Sequence, residues 1–300
     1  MTTGQPFPVL VGHLTLVDLL LLLAVVVVVP LGLRLVPLTG LHATRVLHVA
    51  RLAHPVGAAT AIIAFLLPTS SPAGIVAAGW LIVCGIAGLA GLTELVETRS
   101  VHPSHLVPAA ALGFLTVGAA WLVASRAGIR LGFDPPIVEL TAVHFHYAGF
   151  AATLMSALAL LALHDASQQR RWVAAGAGVL VVVGTPLTAT GIATGISVLV
   201  VLGPILLATG VLTTAALTAF VIAPLVPAGS ARWLLRISAV GVVVPMLLGV
   251  DYAVARVTGA PALDLRTMAL IHGDLNALVF ALLGFLGWTR ALALRPAGVP

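Results

Sequence analysis

Within residues 139–150 the chain places a carboxylate, two imidazoles and a phenol, Glu139, His144, His146 and Tyr147, on one otherwise apolar segment. A second group, His272, Asp274 and Asn276, lies in the last apolar run. An ionisable side chain inside a bilayer costs about 2.5–3.5 kcal/mol on insertion scales, so such clusters are candidates for function by default. Four uses compete. The groups can simply join helices through buried hydrogen bonds. They can ligate a metal or haem through His144, His146 and His272, although the His-x-His spacing directs two rings apart and no Glu-x-x-His pair accompanies them. They can couple protons to transport, which asks for carboxylates near the midplane and broken helices. Or they can do acid–base chemistry on an apolar substrate.

The last use has the fullest physical basis in the residue types. A carboxylic acid in an apolar pocket keeps its proton and can deliver it to an alkene or epoxide, and a neighbouring histidine or asparagine can orient it. Aromatic faces then stabilise the cation that forms. Asp274 leads the acids because no arginine is near it in sequence; Asp251 and Glu139 lie closer to span ends. His144, His146 and His272 are the candidate partners, and Tyr147, Phe150, Asn276, Trp80 and Trp121 the candidate substrate contacts. At 100° per residue His144 shares a helix face with Tyr147 and Ala148, while Glu139, Ala142, His146 and Phe150 form another stripe. His272 and Asn276 share a face, and Asp274 is turned about 200° from His272. A cavity between the two segments would therefore take one histidine from each.

The elements that must position these groups are membrane helices. The chain is 60% hydrophobic and 8% charged, with a mean hydropathy of +1.18, whereas soluble domains carry about 25% charged residues. The expected fold class is all-α, a polytopic transmembrane bundle filling residues 1–300 as a single domain. Apolar runs and Pro/Gly breaks place nine spans near 14–36, 46–67, 74–96, 105–125, 137–163, 172–189, 193–222, 232–254 and 267–289. The sixth and seventh divide at Thr185-Pro186 and Thr188 to Gly191. The first run has no basic region before it and no cleavage site after it, so it reads as a span.

Nine spans put Arg34, Arg45, Arg51, Arg99, Arg170, Arg171, Arg232, Arg236, Arg290 and Arg295 on one side and Arg126, Arg130, Arg256 and Arg266 on the other. The positive-inside rule then predicts an extracytoplasmic N-terminus and a cytoplasmic C-terminus in the cell membrane. An eight-span chain erases that bias. The same order brings His144, His146, His272, Asp274, Asn276, Asp251, Tyr252, Thr188 and Thr190 to the outer half, the histidines of span 5 about 10–14 Å deep. Glu94 and Glu97 fall at the other side beside Arg99. Trp172, Trp233 and Trp288 read as interface anchors, Pro204 and Pro245 as kinks, and Gly85, Gly88, Gly91, Gly176 and Gly178 as close-packing positions. No sustained internal duplication is visible in the residues. A single cysteine, Cys84, excludes a disulfide framework. The basicity is arginine at span ends and not a nucleic-acid patch. No Walker loop, dinucleotide fingerprint or Asp-rich prenyl-diphosphate run is present, and no cofactor is implied. The oligomeric state is left open.

The segment Leu140-Thr-Ala-Val-His-Phe-His-Tyr-Ala-Gly-Phe150, followed by Met268-x-x-x-His272-Gly273-x-x-Asn276-Ala277, resembles the YndJ-like family of bacterial integral membrane proteins. The family is similar to membrane-embedded terpene cyclases of actinobacterial indole-sesquiterpenoid pathways. That resemblance implies a cyclase of a prenylated lipophilic small molecule, with His144, His146, Tyr147, His272 and Asn276 as the carried-over positions. The sequence departs from the family pattern at Asp274, where a neutral residue is expected, and at Val279, where glycine is usual. A proton-coupled transporter and a His-ligated haem or metal protein remain the alternatives.

Overall fold

The computed structural model of the protein describes residues 7–294; Arg295 lies outside them. Among the described residues nine helices are long and apolar enough to cross a membrane. They are span 1 Leu16–Leu35, span 2 Leu41–Leu66, span 3 Ser71–Thr98, span 4 Pro103–Ala127, span 5 Pro136–Ala162, span 6 Gln168–Thr194, span 7 Ser197–Leu225, span 8 Ser230–Thr258 and span 9 Leu265–Ala293. A short antiparallel pair, Val9–Val11 with Leu14–Thr15, precedes the first helix. The chain crosses from this hairpin side to the far side with every odd-numbered span and returns with every even one.

Spans 6 and 7 do not divide at Pro186. The helix runs through it to Thr194 and stops at Gly195, which adopts the left-handed conformation with φ 67°. Proline forfeits one helical hydrogen bond, yet the segment stays helical through it, packed against span 7, with the Thr185 and Thr188 hydroxyls donating to the Val181 and Gly184 carbonyls. Gly184 and Gly191 on span 6 face span 7, and Gly203 and Gly210 on span 7 face back. A Cβ at any of the four would run into partner backbone, so only glycine lets these helices approach this closely. Among the glycines expected at packing positions, Gly88, Gly91 and Gly178 do contact neighbours, whereas Gly85 and Gly176 have open space around them.

The helices after span 1 fall into two consecutive four-helix repeats of matching spacing. Spans 2 to 5 begin at Leu41, Ser71, Pro103 and Pro136, and spans 6 to 9 at Gln168, Ser197, Ser230 and Leu265, an offset of 126 to 129 residues throughout. Span 1 stands outside the two four-helix repeats. Spans 5 and 9, the last helix of each, share one internal plan. In span 5 an α-helical segment ends at His144, a π-helical segment covers Phe145–Ala152 and α-helix resumes at Thr153. In span 9 the same segments end at Asp274, cover Leu275–Leu282 and resume at Leu283.

Polar seals close the helix ends. On the far side Glu94, 0% exposed, accepts from the Thr39 hydroxyl at 2.7 Å, the Gly40 N–H at 2.8 Å and His105 Nδ1 at 2.9 Å. Glu97 takes the His42 and Ala43 N–H groups. The two acids therefore serve the N-terminus of span 2, where unpaired N–H groups attract negative charge, and neither forms an ion pair with Arg99. Of the three expected anchors, Trp172 and Trp233 are exposed, but Trp288 is buried at 2% exposure. On the hairpin side Asp264 caps span 9 through the Thr267 N–H and hydroxyl, and those bonds hold its carboxyl below the usual range.

Candidate functional site

Between the repeats lies a cavity of about 590 Å³, walled by spans 5 to 9 and closed along one flank by Val17 and Leu20 of span 1. Its lining begins in terminal turns on the hairpin side, at Ile137, Ile192, Val200, Arg256 and Leu265, and descends to Ala152, Val211 and Phe280. Fifteen residues of span 5 separate Ile137 from Ala152, a depth of about 20 Å. Phe150 and Phe285, both buried and outside the lining, meet edge to face with 6.2 Å between ring centres. The well thus reaches the hairpin side, and its walls are mostly apolar.

About halfway down, His144 of span 5 and His272 of span 9 both line the cavity. The two are 128 residues apart, within the offset of the repeats, and each stands at or near the entrance to its π-helical segment. His144 Nε2 lies 3.1 Å from the Thr185 carbonyl of span 6, and His272 Nδ1 lies 2.8 Å from the Pro245 carbonyl of span 8. A carbonyl only accepts, so the bonded nitrogen carries the hydrogen, and the neutral ring keeps a lone pair on the other. That leaves Nδ1 of His144 and Nε2 of His272 as free acceptors. Proline placement assists the second contact: Pro245 sits just after the break at Val242, and Gly249 leaves room for the ring, since a Cβ there would stand 3.3 Å from His272 Cε1.

The π-helical segments explain the other polar side chains of the motifs. Where the backbone register changes, His146 Nδ1 donates to the Ala142 carbonyl at 2.8 Å and Asn276 Nδ2 to the His272 carbonyl at 2.8 Å, each four residues back. The Trp80 indole N–H donates to His146 Nε2 at 3.1 Å, which completes both nitrogens of that ring. His146 is thus a buried structural link between spans 3 and 5, turned away from the cavity, and Trp80 is its partner. Asn276 does line the cavity, with its carbonyl oxygen uncommitted. Tyr147 lines it too, and its hydroxyl donates to the Leu20 carbonyl of span 1 at 2.8 Å.

None of the three candidate acids is part of the cavity wall. Asp251 is exposed on the outer surface of span 8. Asp274, turned from the His272 face as the helix period requires, is half-buried. Glu139 packs against Asp18 of span 1 and lies near Arg126 of span 4, with Oε1 buried and unpaired among the described residues. Among the aromatic candidates, Phe150 is buried against Phe285 outside the cavity wall, and Trp121 packs on Phe133 in the loop before span 5. Adjacent positions on a helix point to different surroundings, so nearness in sequence did not bring these side chains to one surface.

Sequence reasoning missed Asp18 and the burial of Arg126. Asp18 is the third residue of span 1, bonded at 2.7 Å to both the N–H and the hydroxyl of its cap Thr15. The signal was the Thr-x-x-Asp spacing, a variant of the capping box, hidden at the edge of a long apolar run. Arg126, 7% exposed, lies 3.8 Å from Asp18 and donates to the carbonyls of Ala64 at 3.2 Å and Leu67 at 2.8 Å, which close span 2.

Among the described residues no group of three or more His, Cys, Asp and Glu side chains could hold a metal ion; His144 and His272 make only a pair. The fold and the cavity define the class: a multi-pass helical membrane protein with a ligand-sized pocket among spans 5 to 9. The model of the YndJ-like protein family matches residues 19–280, and the chain belongs to that family. The chain matches neither a curated protein nor a solved structure.

Proposed function

We propose that this chain is an integral-membrane enzyme that takes a lipophilic, prenylated small molecule from the bilayer and moves protons on it, with cyclisation of the terpene type as the reaction. The carrying observation is the pair of imidazoles, each anchored by one nitrogen and free at the other, in the middle of an apolar well. A free imidazole nitrogen is a competent acceptor for the proton that a cyclised carbocation must lose, and general acid–base groups contribute about 10²–10⁴-fold. The Tyr147, Tyr252 and Phe280 rings are the aromatic faces available to the cation. The acid that starts the reaction is Asp274, a half-buried carboxyl two residues from His272 that stands beside the well and not on its wall. The arginine asymmetry supports a cell-membrane orientation with the mouth and N-terminus outside and the C-terminus in the cytoplasm.

The test is turnover of prenylated substrates by purified protein in nanodiscs. His144→Phe, His272→Phe and Asp274→Asn should each lower the rate at least about a hundredfold with the fold intact. Wild-type turnover in both histidine variants would refute the assignment.

Proton-coupled transport is the second reading, favoured by the tandem repeat with a cavity among its spans 5 to 9, an arrangement that recurs in transporters. Proteoliposomes that accumulate substrate unchanged, with accompanying proton flux, would select it over catalysis.

A further inference from the structure

The two repeats place an arginine at matching positions and treat it differently. Arg126 sits in the last turn of span 4, just before the left-handed Gly128; Arg256 sits in the last turn of span 8, just before the left-handed Gly259. Arg126 is buried and satisfied by Asp18 and two carbonyls. Arg256 is exposed at the cavity mouth, and among the described residues no carboxylate lies within 4.0 Å of it and no protein acceptor is bonded to it. Asp251, the nearest acid along its own helix, is not on the cavity wall. Asp264, in the following loop, is committed to capping span 9.

The missing counter-ion has a visible origin. Span 1 offers Asp18 to Arg126 from its third helical position, counted from the cap Thr15. The third position of span 5, counted from its cap Asp134, is Ile137, which lines the cavity mouth. Where the first repeat meets a carboxylate, the second meets a lipophilic wall and an opening. Arg256 also stands on the side that carries four arginines against ten, so topology does not account for it.

We propose that the cavity takes an amphiphilic anion: its apolar chain fills the well past His144 and His272, and its phosphate or carboxylate oxygens pair with the Arg256 guanidinium at the mouth. This rests on reading the cavity as a ligand site and is independent of whether the ligand is transformed or carried. The planar guanidinium suits a two-oxygen anion, and a partly desolvated charge-assisted pair is stronger than a neutral hydrogen bond.

The experiment compares binding of radiolabelled farnesyl phosphate and farnesol to purified protein in phosphatidylcholine nanodiscs. The wild type should prefer the phosphate by about tenfold. Arg256→Gln should abolish that preference while leaving farnesol binding unchanged, and Arg256→Lys should restore part of it. Ala148→Trp, which fills the well, should remove binding of both probes. Displacement of farnesyl phosphate by phosphatidylglycerol in wild type but not in Arg256→Gln would support the anion site with a bilayer phospholipid as its occupant. Equal affinity for the two probes, or a preference that survives in Arg256→Gln, would overturn the anion site and leave the cavity as a ligand site. Failure of both probes to bind wild type above the Ala148→Trp background would overturn the anion site and the ligand site together.

Discussion

Arg126→Met offers the sharpest test of how the hairpin side is held together. The side chain is 7% exposed and 3.8 Å from Asp18, too far for a hydrogen bond, so that contact acts through charge. At an effective dielectric of 20, a pair at this separation is worth about 4 kcal/mol before desolvation is charged against it. Two further bonds, to the Ala64 and Leu67 carbonyls, are of the charged kind, about 1.5–3 kcal/mol each. Methionine keeps much of the volume but leaves Asp18 and Glu139 facing each other with no cation, and breaking a buried pair in this way costs about 3–5 kcal/mol. A net loss of about 4 kcal/mol is expected, read as a lower midpoint in detergent-titrated unfolding. The double variant Arg126→Met/Asp18→Asn should recover about half, because the orphaned charge is then gone. A single variant within about 1 kcal/mol of wild type, or a double variant no better than the single, would refute the reasoning.

Other consequences are as direct. Trp80→Phe leaves His146 Nε2 without its donor and should cost about 1–2 kcal/mol in the same assay while turnover per folded molecule is retained; a large loss of turnover would return His146 to the site. Glu94→Ala strips the acceptors from Thr39, Gly40 and His105 and should destabilise by about 3 kcal/mol, against less than about 1 kcal/mol for Asp251→Asn on the exposed face of span 8, and equal effects would undo the far-side seal. Gly249→Val crowds His272 and should weaken binding of any ligand that reaches the imidazole pair, measured by the nanodisc assay, with unchanged binding as the contrary result. A C-terminal alkaline phosphatase fusion should be inactive and a cytoplasmic reporter at the same place active; the reverse would invert the topology.

The chain itself determined that it is a membrane bundle. Nine apolar runs of sufficient length leave a backbone in lipid no choice but helix, because every N–H and C=O must be satisfied internally. The arginines supported nine crossings over eight, and the helical period sorted His144 and Tyr147 from His146 before any contact was known. Tertiary structure alone decided which polar groups meet. The acids were legible as residue types, but each side chain's surroundings depend on the neighbouring helix, and only packing shows that Glu139 belongs with Asp18 and Arg126. The matching spacing of the two four-helix sets was invisible in the residues because lipid-facing positions accept any apolar side chain, so helix lengths and a π-helical segment can match where the sequence does not. The break at Gly195 and not at Pro186 has the same character: a proline inside a membrane helix is tolerated where a packed partner sustains the helix. His144 and His272 became a pair, and Arg256 an unpaired cation, only when the repeats closed around the well.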